Sequence, residues 1–214
     1  MRNGKKIIIA LDGMSEKEAI RIAGTLKDYV WGFKVNDLLF QSASIVKKLK
    51  KFGKVFADAK LHDIPNTVSN SVKRLSAAGA DFITVHASGG VEMMKAAKKY
   101  AGRSKIIAVT ELTSRSRDRK EIIKLAQDAM KAKTDGIVCS GYDLIFLRRI
   151  SKLKPLLKII PGIRPKWYKK KDDQKQTMSP DKAFQLGADY LVIGRPISRS
   201  QNPLKAFMGI ISEL

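Results

Sequence analysis

The most regular feature of the chain is a series of short apolar runs separated by segments with helical periodicity. The runs are rich in Ile, Val and Phe, and they are nearly continuous in apolar character rather than alternating with polar residues. Such runs are typical of parallel strands that are buried on both faces. They predict eight strands, at 6–11, 31–35, 54–58, 81–86, 105–110, 136–140, 157–161 and 190–194.

A segment with apolar residues at helical spacing follows each run. The first such segment begins with Ser15 and Glu18, the Ser-x-x-Glu pattern of a helix capping box. Eight strands that are each followed by a helix favour an α/β fold of the (β/α)8 TIM-barrel type over a doubly wound open sheet, which the same pattern permits. The helices are predicted at 15–28, 36–51, 66–79, 90–101, 118–132, 142–153, 180–187 and 203–213.

The composition predicts one domain over 1–214. The chain has 214 residues, is 44% hydrophobic and shows no break in composition, which suits one sizeable core. One long irregular connection, 161–180, follows the seventh strand. Because long loops in compact barrels are usually functional, we expect a mobile lid around 164–179.

The charge balance narrows the class of partner. The chain has 42 Lys and Arg against 20 Asp and Glu, a net charge of +22, which attracts anions such as nucleic acids or phosphorylated metabolites. The basic residues are scattered over predicted helix faces and loops, without a nucleic-acid-binding motif, so we expect solvated surfaces and no specific nucleic acid. The single Cys139, the lack of a signal-peptide pattern and the lack of a window of about 20 apolar residues predict a cytoplasmic protein without a membrane span.

Charged residues gather where the predicted strands end. In a barrel these ends meet at one rim, where the chemistry of such folds is found. Lys34 ends the second strand, Asp58 ends the third, and Lys60 and Asp63 follow within the next five positions. Unpaired burial would cost several kcal/mol per ion, so the four side chains are expected to pair with one another.

The paired charges have two interpretations. One is an internal salt-bridge network without a catalytic role. The other is an electrostatic site, in which a lysine beside two carboxylates stays protonated and can deliver a proton to a carbanion. A separate phosphate site is predicted after the seventh and eighth strands, where "PGIR" and "IGRPI" supply glycine amides and the planar guanidinium of Arg195.

Several motifs together resemble those of the orotidine 5′-phosphate decarboxylase family, in its short bacterial and archaeal form. The resemblance covers essentially the whole chain. The segment "DAKLHDIPNT" is its most specific part, because it combines two carboxylates and a lysine with Ile-Pro-Asn-Thr. The other motifs, in order, are "ALD" (10–12), "FKV" (33–35), "TVHASGG" (84–90), "ELTS" (111–114), "PGIR" (161–164), "DDQ" (172–174) and "IGRPI" (193–197).

The resemblance implies a homodimer of barrels with active sites at the interface. It implies decarboxylation of orotidine 5′-monophosphate to UMP and carbon dioxide, the last step of de novo pyrimidine synthesis, without cofactor or metal. Lys34, Asp58, Lys60 and Asp63 would form the catalytic array, with Asp58 against the substrate carboxylate, Lys60 protonating C6 of the pyrimidine, and Asp63 supplied by the partner chain.

The resemblance also implies the substrate contacts. Asp12 and Lys34 would hold the ribose hydroxyls with Thr67 of the partner chain. Contacts with the pyrimidine would come from Thr113 and Ser114, and Gln174 would bridge the base and the phosphate. The phosphate itself would lie against Arg164, Gly194 and Arg195.

Two features depart from the family pattern, and three other functions compete with this one. Asn36 stands where many relatives have glycine, and the segment "KWYKKKDD" makes the alignment of the lid loose. The nearest rival is a magnesium-dependent sugar-phosphate decarboxylase or aldolase of the same suprafamily, whose members typically carry Glu in place of Lys34. A basic nucleic-acid-binding barrel and a catalytically inactive regulator are the other two.

Overall fold

The strands of this protein close into a barrel. The structure, a computed structural model, describes residues 4–111, 118–169 and 177–214. Within these ranges the strands pair in parallel and in chain order, and the last pairs with the first, which confirms the (β/α)8 TIM barrel and excludes the open sheet. The strands are β1 (Ile7–Ala10), β2 (Gly32–Val35), β3 (Lys54–Leu61), β4 (Phe82–His86), β5 (Lys105–Val109), β6 (Gly136–Val138), β7 (Leu157–Ile160) and β8 (Tyr190–Ile193).

Helices alternate with the strands and cover the outside of the barrel. Ser15 caps the first helix by accepting a hydrogen bond from the Glu18 N–H, as its sequence pattern predicts. The α-helices are α1 (Glu16–Leu26), α2 (Asp37–Gln41), α3 (Ser44–Lys50), α4 (Pro65–Ala77), α5 (Gly90–Lys99), α6 (Arg119–Lys131), α7 (Gly141–Leu147), α8 (Pro180–Gln185), α9 (Arg195–Ser198) and α10 (Pro203–Ile211).

The apolar residues form two layers, one inside the barrel and one between the strands and the helices. Successive residues of a strand point to opposite sides, so a strand buried on both faces needs an unbroken apolar run. In β1, for example, Ile8 belongs to the inner cluster, whereas Ile7 and Ile9 belong to the outer one. Full burial of each such side chain contributes about 1.5–3 kcal/mol, which explains why the strand positions were predictable.

The rim at the amino ends of the strands is closed by aspartates that precede β4, β6 and β8. Asp81 donates its N–H to the Val55 carbonyl and accepts the Val55 N–H on its carboxylate, both at 2.8 Å. Asp135 makes the same two bonds with Ile106 on β5. Asp189 makes them with Lys158 on β7. Each aspartate therefore fixes the start of one strand against its neighbour.

The structure corrects three predicted boundaries. The helix predicted at 36–51 is two helices, because α2 ends at Gln41 and a separate α3 begins at Ser44. The helix predicted at 142–153 ends at Leu147, and a 3-10 turn covers Ser151–Leu153. The prediction that the third strand ends at Asp58 is also wrong, since β3 continues to Leu61 with an irregular register.

Candidate active site

A cavity of about 440 Å³ opens at the rim formed by the carboxyl ends of the strands. Its floor is apolar and belongs to the inner cluster of the barrel, including Phe56 and Val192. Its walls are charged, with lysines and aspartates on the β1–β3 side and arginines on the β7–β8 side. A polar molecule with an anionic group at one end suits such a cavity.

Four side chains on the β1–β3 side form an unbroken chain of ion pairs. The Lys34 amine lies 2.6 Å from Asp12 Oδ2 and 3.1 Å from Asp58 Oδ2. The Lys60 amine lies 2.6 Å from the same Asp58 oxygen. Within one chain the acids and bases therefore alternate in the order Asp12, Lys34, Asp58 and Lys60, with Asp12 in the array as well as at the predicted ribose site.

The electrostatics of this array keep Asp58 ionised. Burial alone would raise the pKa of its carboxyl, but the ammonium groups of Lys34 and Lys60 lower that pKa to about 2. Burial likewise opposes the charged form of Lys34, yet Asp58 and Asp12 outweigh it and raise the pKa of the amine. At neutral pH the centre of the array is thus a carboxylate held between two ammonium groups.

The strand β3, which carries Asp58 and Lys60, is distorted where it pairs with β4. From Ala57 to Leu61, β3 advances four positions (57 to 61), while the paired residues of β4 advance only two (83 to 85). Lys60 lies in the left-handed region of the backbone, with φ at 46°, which is uncommon for a residue other than glycine. This bulge aims both charged side chains at the cavity.

Asn36, the departure noted in the sequence, contacts the array directly. Its side-chain amide donates to the Asp58 main-chain carbonyl at 2.6 Å. The neighbouring Asp37 accepts the Gly13 N–H at 3.0 Å, next to Asp12 in the chain. The segment after β2 therefore contacts both the β1 side and the β3 side of the array.

The β7–β8 side of the cavity has a cationic lining. Arg164, Gly194 and Arg195, all predicted for phosphate, line the cavity together with Gly162 and Arg199. The backbone of Gly162 has φ at 73°, a conformation that a side chain would strain. The guanidinium groups here provide donors of the kind that a phosphate dianion requires.

The described residues at the two ends of the predicted lid pair with each other through main-chain hydrogen bonds. Ile163 and Met178 form an isolated parallel bridge, in which Arg164 donates its N–H to the Met178 carbonyl at 2.9 Å. Met178 in turn donates to the Gly162 carbonyl at 3.2 Å. Gln174, the predicted contact within the lid, lies outside the described residues.

The remaining predicted residues are not brought to this cavity within one chain. Asp63 and Thr67 are exposed after β3 and are not among the described residues that line the cavity. Asp63 instead accepts the N–H of the next residue, Ile64, at 2.7 Å. Thr113 and Ser114, predicted for the pyrimidine, lie outside the described residues.

Sequence reasoning missed Arg199 and Thr84 as residues of this site. Arg199 lies one helical turn after Arg195 and lines the cavity, but α9 has only four residues and gives no periodic signal. Thr84 is a fully buried polar residue at an inward position of β4, between apolar neighbours, and it contacts Asp58. Thr84 could have been found from the sequence, because it is a polar residue inside the strand segment "FITVH".

Across 4–111, 118–169 and 177–214, no three His, Cys, Asp or Glu side chains are grouped as metal ligands. No helix in those ranges combines the length and the apolar character needed to cross a membrane.

Fold and cavity together define a (β/α)8-barrel protein with an ionic site at the carboxyl ends of its strands. The model of the "Orotidine 5'-phosphate decarboxylase / HUMPS family" matches residues 5–210. The chain therefore belongs to this family, as its motifs indicated.

Individual relatives agree with the family match. A protein of Streptococcus agalactiae, named orotidine 5′-phosphate decarboxylase, is 41% identical over 187 residues, which cover 81% of this chain and 80% of that protein. A protein of the same name from Dictyoglomus turgidum is 38% identical over 238 aligned positions, covering 100% of this chain and 97% of its own. The crystal structure of orotidine 5′-phosphate decarboxylase from Lactobacillus acidophilus superposes with a TM-score of 0.82 at 34% identity, covering 97% of each chain.

Proposed function

We propose that this protein decarboxylates orotidine 5′-monophosphate to UMP and carbon dioxide, the last step of de novo pyrimidine synthesis, in the cytoplasm. The observation that carries the proposal is the buried Asp58 carboxylate, held between two lysine amines at the wall of a cavity. Membership of the decarboxylase family supports it, as do the arginines on the opposite wall, which suit a phosphomonoester.

The array suits the reaction because it combines a fixed anion with a proton donor. Asp58 lies against the substrate carboxylate and repels it, since its low pKa keeps it ionised. The bond from C6 to the carboxyl carbon breaks, and the electron pair stays on C6. The Lys60 ammonium transfers a proton to that carbon, carbon dioxide leaves, and the neutral amine is then reprotonated by solvent. No oxidant, metal or cofactor takes part.

The remaining contacts position the substrate at both ends. Asp12 and Lys34 bind the ribose hydroxyls, while Arg164, Gly194 and Arg195 bind the phosphate. Thr113 and Ser114 contact the pyrimidine, and Gln174 reaches it from the segment around 164–179, which closes as a lid. Binding energy from the distant phosphate then stabilises the closed, reactive arrangement.

The active protein is a homodimer whose site is completed by the partner chain. Asp63 and Thr67 lie on an exposed segment directly after the strand that carries Asp58 and Lys60. Ile64, between them, is 66% exposed, and Phe40 on α2 is 82% exposed. Exposed apolar side chains beside a charged rim are typical of a surface that a second copy covers.

The direct test follows the ultraviolet absorbance of orotidine 5′-monophosphate with the purified protein. We expect turnover that persists in EDTA and that a Lys60→Ala variant nearly abolishes while it still binds UMP. A wild-type protein without turnover would reject the proposed function. Near-normal turnover in Lys60→Ala would reject only the role of Lys60 as the proton donor.

A mixing experiment tests the shared site. Lys60→Ala and Asp63→Ala chains are each expected to be inactive alone. If each site combines Lys60 of one chain with Asp63 of the other, a mixed dimer contains one site with both native residues. Turnover should then recover partly once the chains exchange, which subunit exchange of labelled chains verifies. Exchange without recovery would contradict the shared site.

The magnesium-dependent rival makes a different prediction at Lys34. In the rival class an acidic residue stands at this position to bind the metal, whereas here the Lys34 amine pairs with Asp12 and Asp58. Turnover of a keto-gulonate phosphate with magnesium, without turnover of orotidine 5′-monophosphate, would reverse the choice.

A further inference from the structure

Thr84 joins Asp58 and Lys60, two neighbouring residues of the array, through one hydroxyl group. Its Oγ1 donates a hydrogen bond to Asp58 Oδ1 at 3.0 Å. The same oxygen accepts the main-chain N–H of Lys60 at 2.8 Å. Thr84 lies on β4, is fully buried and is not among the described residues that line the cavity.

The two oxygens of the Asp58 carboxylate have different partners. Oδ2 forms an ion pair with each lysine, with Lys34 at 3.1 Å and with Lys60 at 2.6 Å. Oδ1 accepts the hydrogen bond from the Thr84 hydroxyl. This division fixes the rotation of the carboxylate about its last bond, with one edge turned toward the lysines.

The second bond of the hydroxyl supports the irregular backbone of β3. Because the register between β3 and β4 shifts after Ala57, the Lys60 N–H meets a side-chain oxygen of β4 instead of a carbonyl in a regular ladder. A non-glycine residue with positive φ costs about 1–3 kcal/mol and persists only where its surroundings determine it. The Thr84 oxygen is part of that determination at Lys60.

We propose that Thr84 is a positioning residue, which uses its hydroxyl to set the orientation of Asp58 and the backbone of Lys60 relative to each other. The consequence for catalysis rests on the proposed decarboxylation. Thr84 does not touch the reacting atoms. It acts by holding the carboxylate and the proton donor in the geometry that they need before substrate enters.

Two substitutions separate the hydroxyl from the shape of the side chain. Thr84→Val keeps the shape but removes both hydrogen bonds, leaving a buried carboxylate oxygen and an N–H without this partner. Thr84→Ser keeps the hydroxyl and loses only a methyl group. The matched control is Thr134→Val, because Thr134 is also buried and donates to the Ala129 carbonyl, far along the chain from the array.

The test measures kcat and KM for orotidine 5′-monophosphate, the thermal unfolding of each variant and the crystal structure of Thr84→Val. We expect Thr84→Val to lower kcat about 10- to 100-fold with KM within about 3-fold, since the arginine side of the cavity is unchanged. We expect Thr84→Ser to stay within about 3-fold of wild type and Thr134→Val to leave kcat unchanged. The crystal should show that the Asp58 carboxylate or the Lys60 backbone has rotated.

Each contrary outcome has a distinct meaning. An inactive wild-type protein would reject the proposed function, while the crystal structure would still test the positioning. A Thr84→Val variant with wild-type kcat, or with an unchanged array in the crystal, would overturn the positioning role. If Thr84→Val and Thr84→Ala both failed to fold while Thr84→Ser folded, the hydroxyl would be a purely structural group and the proposal would also fall.

Discussion

The two rims of the barrel use the same residue types for different purposes. At the amino-end rim, Asp135 pairs with Lys98 at 2.6 Å and also holds the main chain of Ile106. At the carboxyl-end rim, Asp58 pairs with Lys60 at 2.6 Å, but its carboxylate is shared with a second lysine and faces a cavity. An Asp–Lys pair is therefore not informative by itself; its remaining partners decide whether it holds the fold or is available for chemistry.

Burial sharpens the same contrast. The side chains of Lys98 and Asp135 are 35% and 21% exposed, so water screens their pair and its contribution is small. Lys34 and Asp58 are both 10% exposed, and their charges would be costly without each other. The fold thus buries this pair of charges at the rim where the cavity opens.

The largest expected effect comes from replacing one lysine at each rim, in turn, with alanine. Lys60→Ala should lower kcat at least 100- to 10,000-fold, because it removes the proton donor. Lys98→Ala removes a lysine with the same pairing distance and should leave kcat unchanged, with a stability loss of about 1 kcal/mol or less. Steady-state kinetics and urea unfolding of both variants check this, and comparable losses of kcat would remove the contrast between the rims.

The reverse experiment targets the aspartate of the amino-end rim. Asp135→Ala should lower the free energy of unfolding by about 1–3 kcal/mol, since the buried Ile106 N–H loses its acceptor, while kcat stays near the wild-type value. Chemical denaturation measures the first quantity and absorbance kinetics the second. Asp128→Ala, which removes only an exposed pair with Lys131 on α6, is the matched control. A stable Asp135→Ala variant with low kcat would contradict the division of roles.

Lowering the pH should reduce the free energy of unfolding through Asp58, at the carboxyl-end rim. Its pKa in the folded protein is about 2, below the ordinary value of 3.8, so folding favours the ionised form. The resulting stability is fully present above about pH 4 and is lost as pH falls through about 2, a change of about 2 kcal/mol. Unfolding free energies measured between pH 2 and 5 should therefore fall less steeply in Asp58→Asn than in wild type. Equal slopes would show that Asp58 is not the group responsible. The control is Glu92→Gln, which changes an exposed carboxylate.

The smallest expected effect concerns the side-chain amide of Asn36, which contacts the Asp58 main chain from the segment after β2. Asn36→Ala should lower kcat about 3- to 10-fold, because the Asp58 carbonyl loses a hydrogen bond while its carboxylate keeps the lysines and Thr84. Asn202→Ala removes an amide that caps α10 and should cost stability of about 1 kcal/mol without a change in kcat. An Asn36→Ala variant with wild-type kcat would limit the array to its charged members and Thr84.

The sequence was most informative where burial dictates composition. Strands buried on both faces require continuous apolar runs, so their number and order could be predicted. The break between α2 and α3 could not, because Leu38, Ile45 and Val46 all face the core and continue the apolar spacing across it. Helix propensity and spacing do not report that the chain leaves the helix after Gln41 and begins a new one at Ser44.

The site was predictable where its residues are close in the sequence. Asp58 and Lys60 are two positions apart, so the cost of burying an unpaired charge was enough to predict that they pair. Thr84 reaches them only because the register of β3 and β4 shifts, and a register shift leaves no signature in either strand alone. The contribution of Asp63 to the other subunit stays a prediction, because the relation between two chains is not written in the periodicity of one.

The pairing of β1 with β8 sets the order of events during synthesis. The barrel closes only when residues 7–9 meet residues 191–193, the two ends of the strand series. Until the ribosome has released β8, the nascent barrel carries open strand edges on β1 and on its latest strand, and such edges can pair with other chains. Closure pairs both edges with each other, so neither edge can pair with another chain once β1 has met β8.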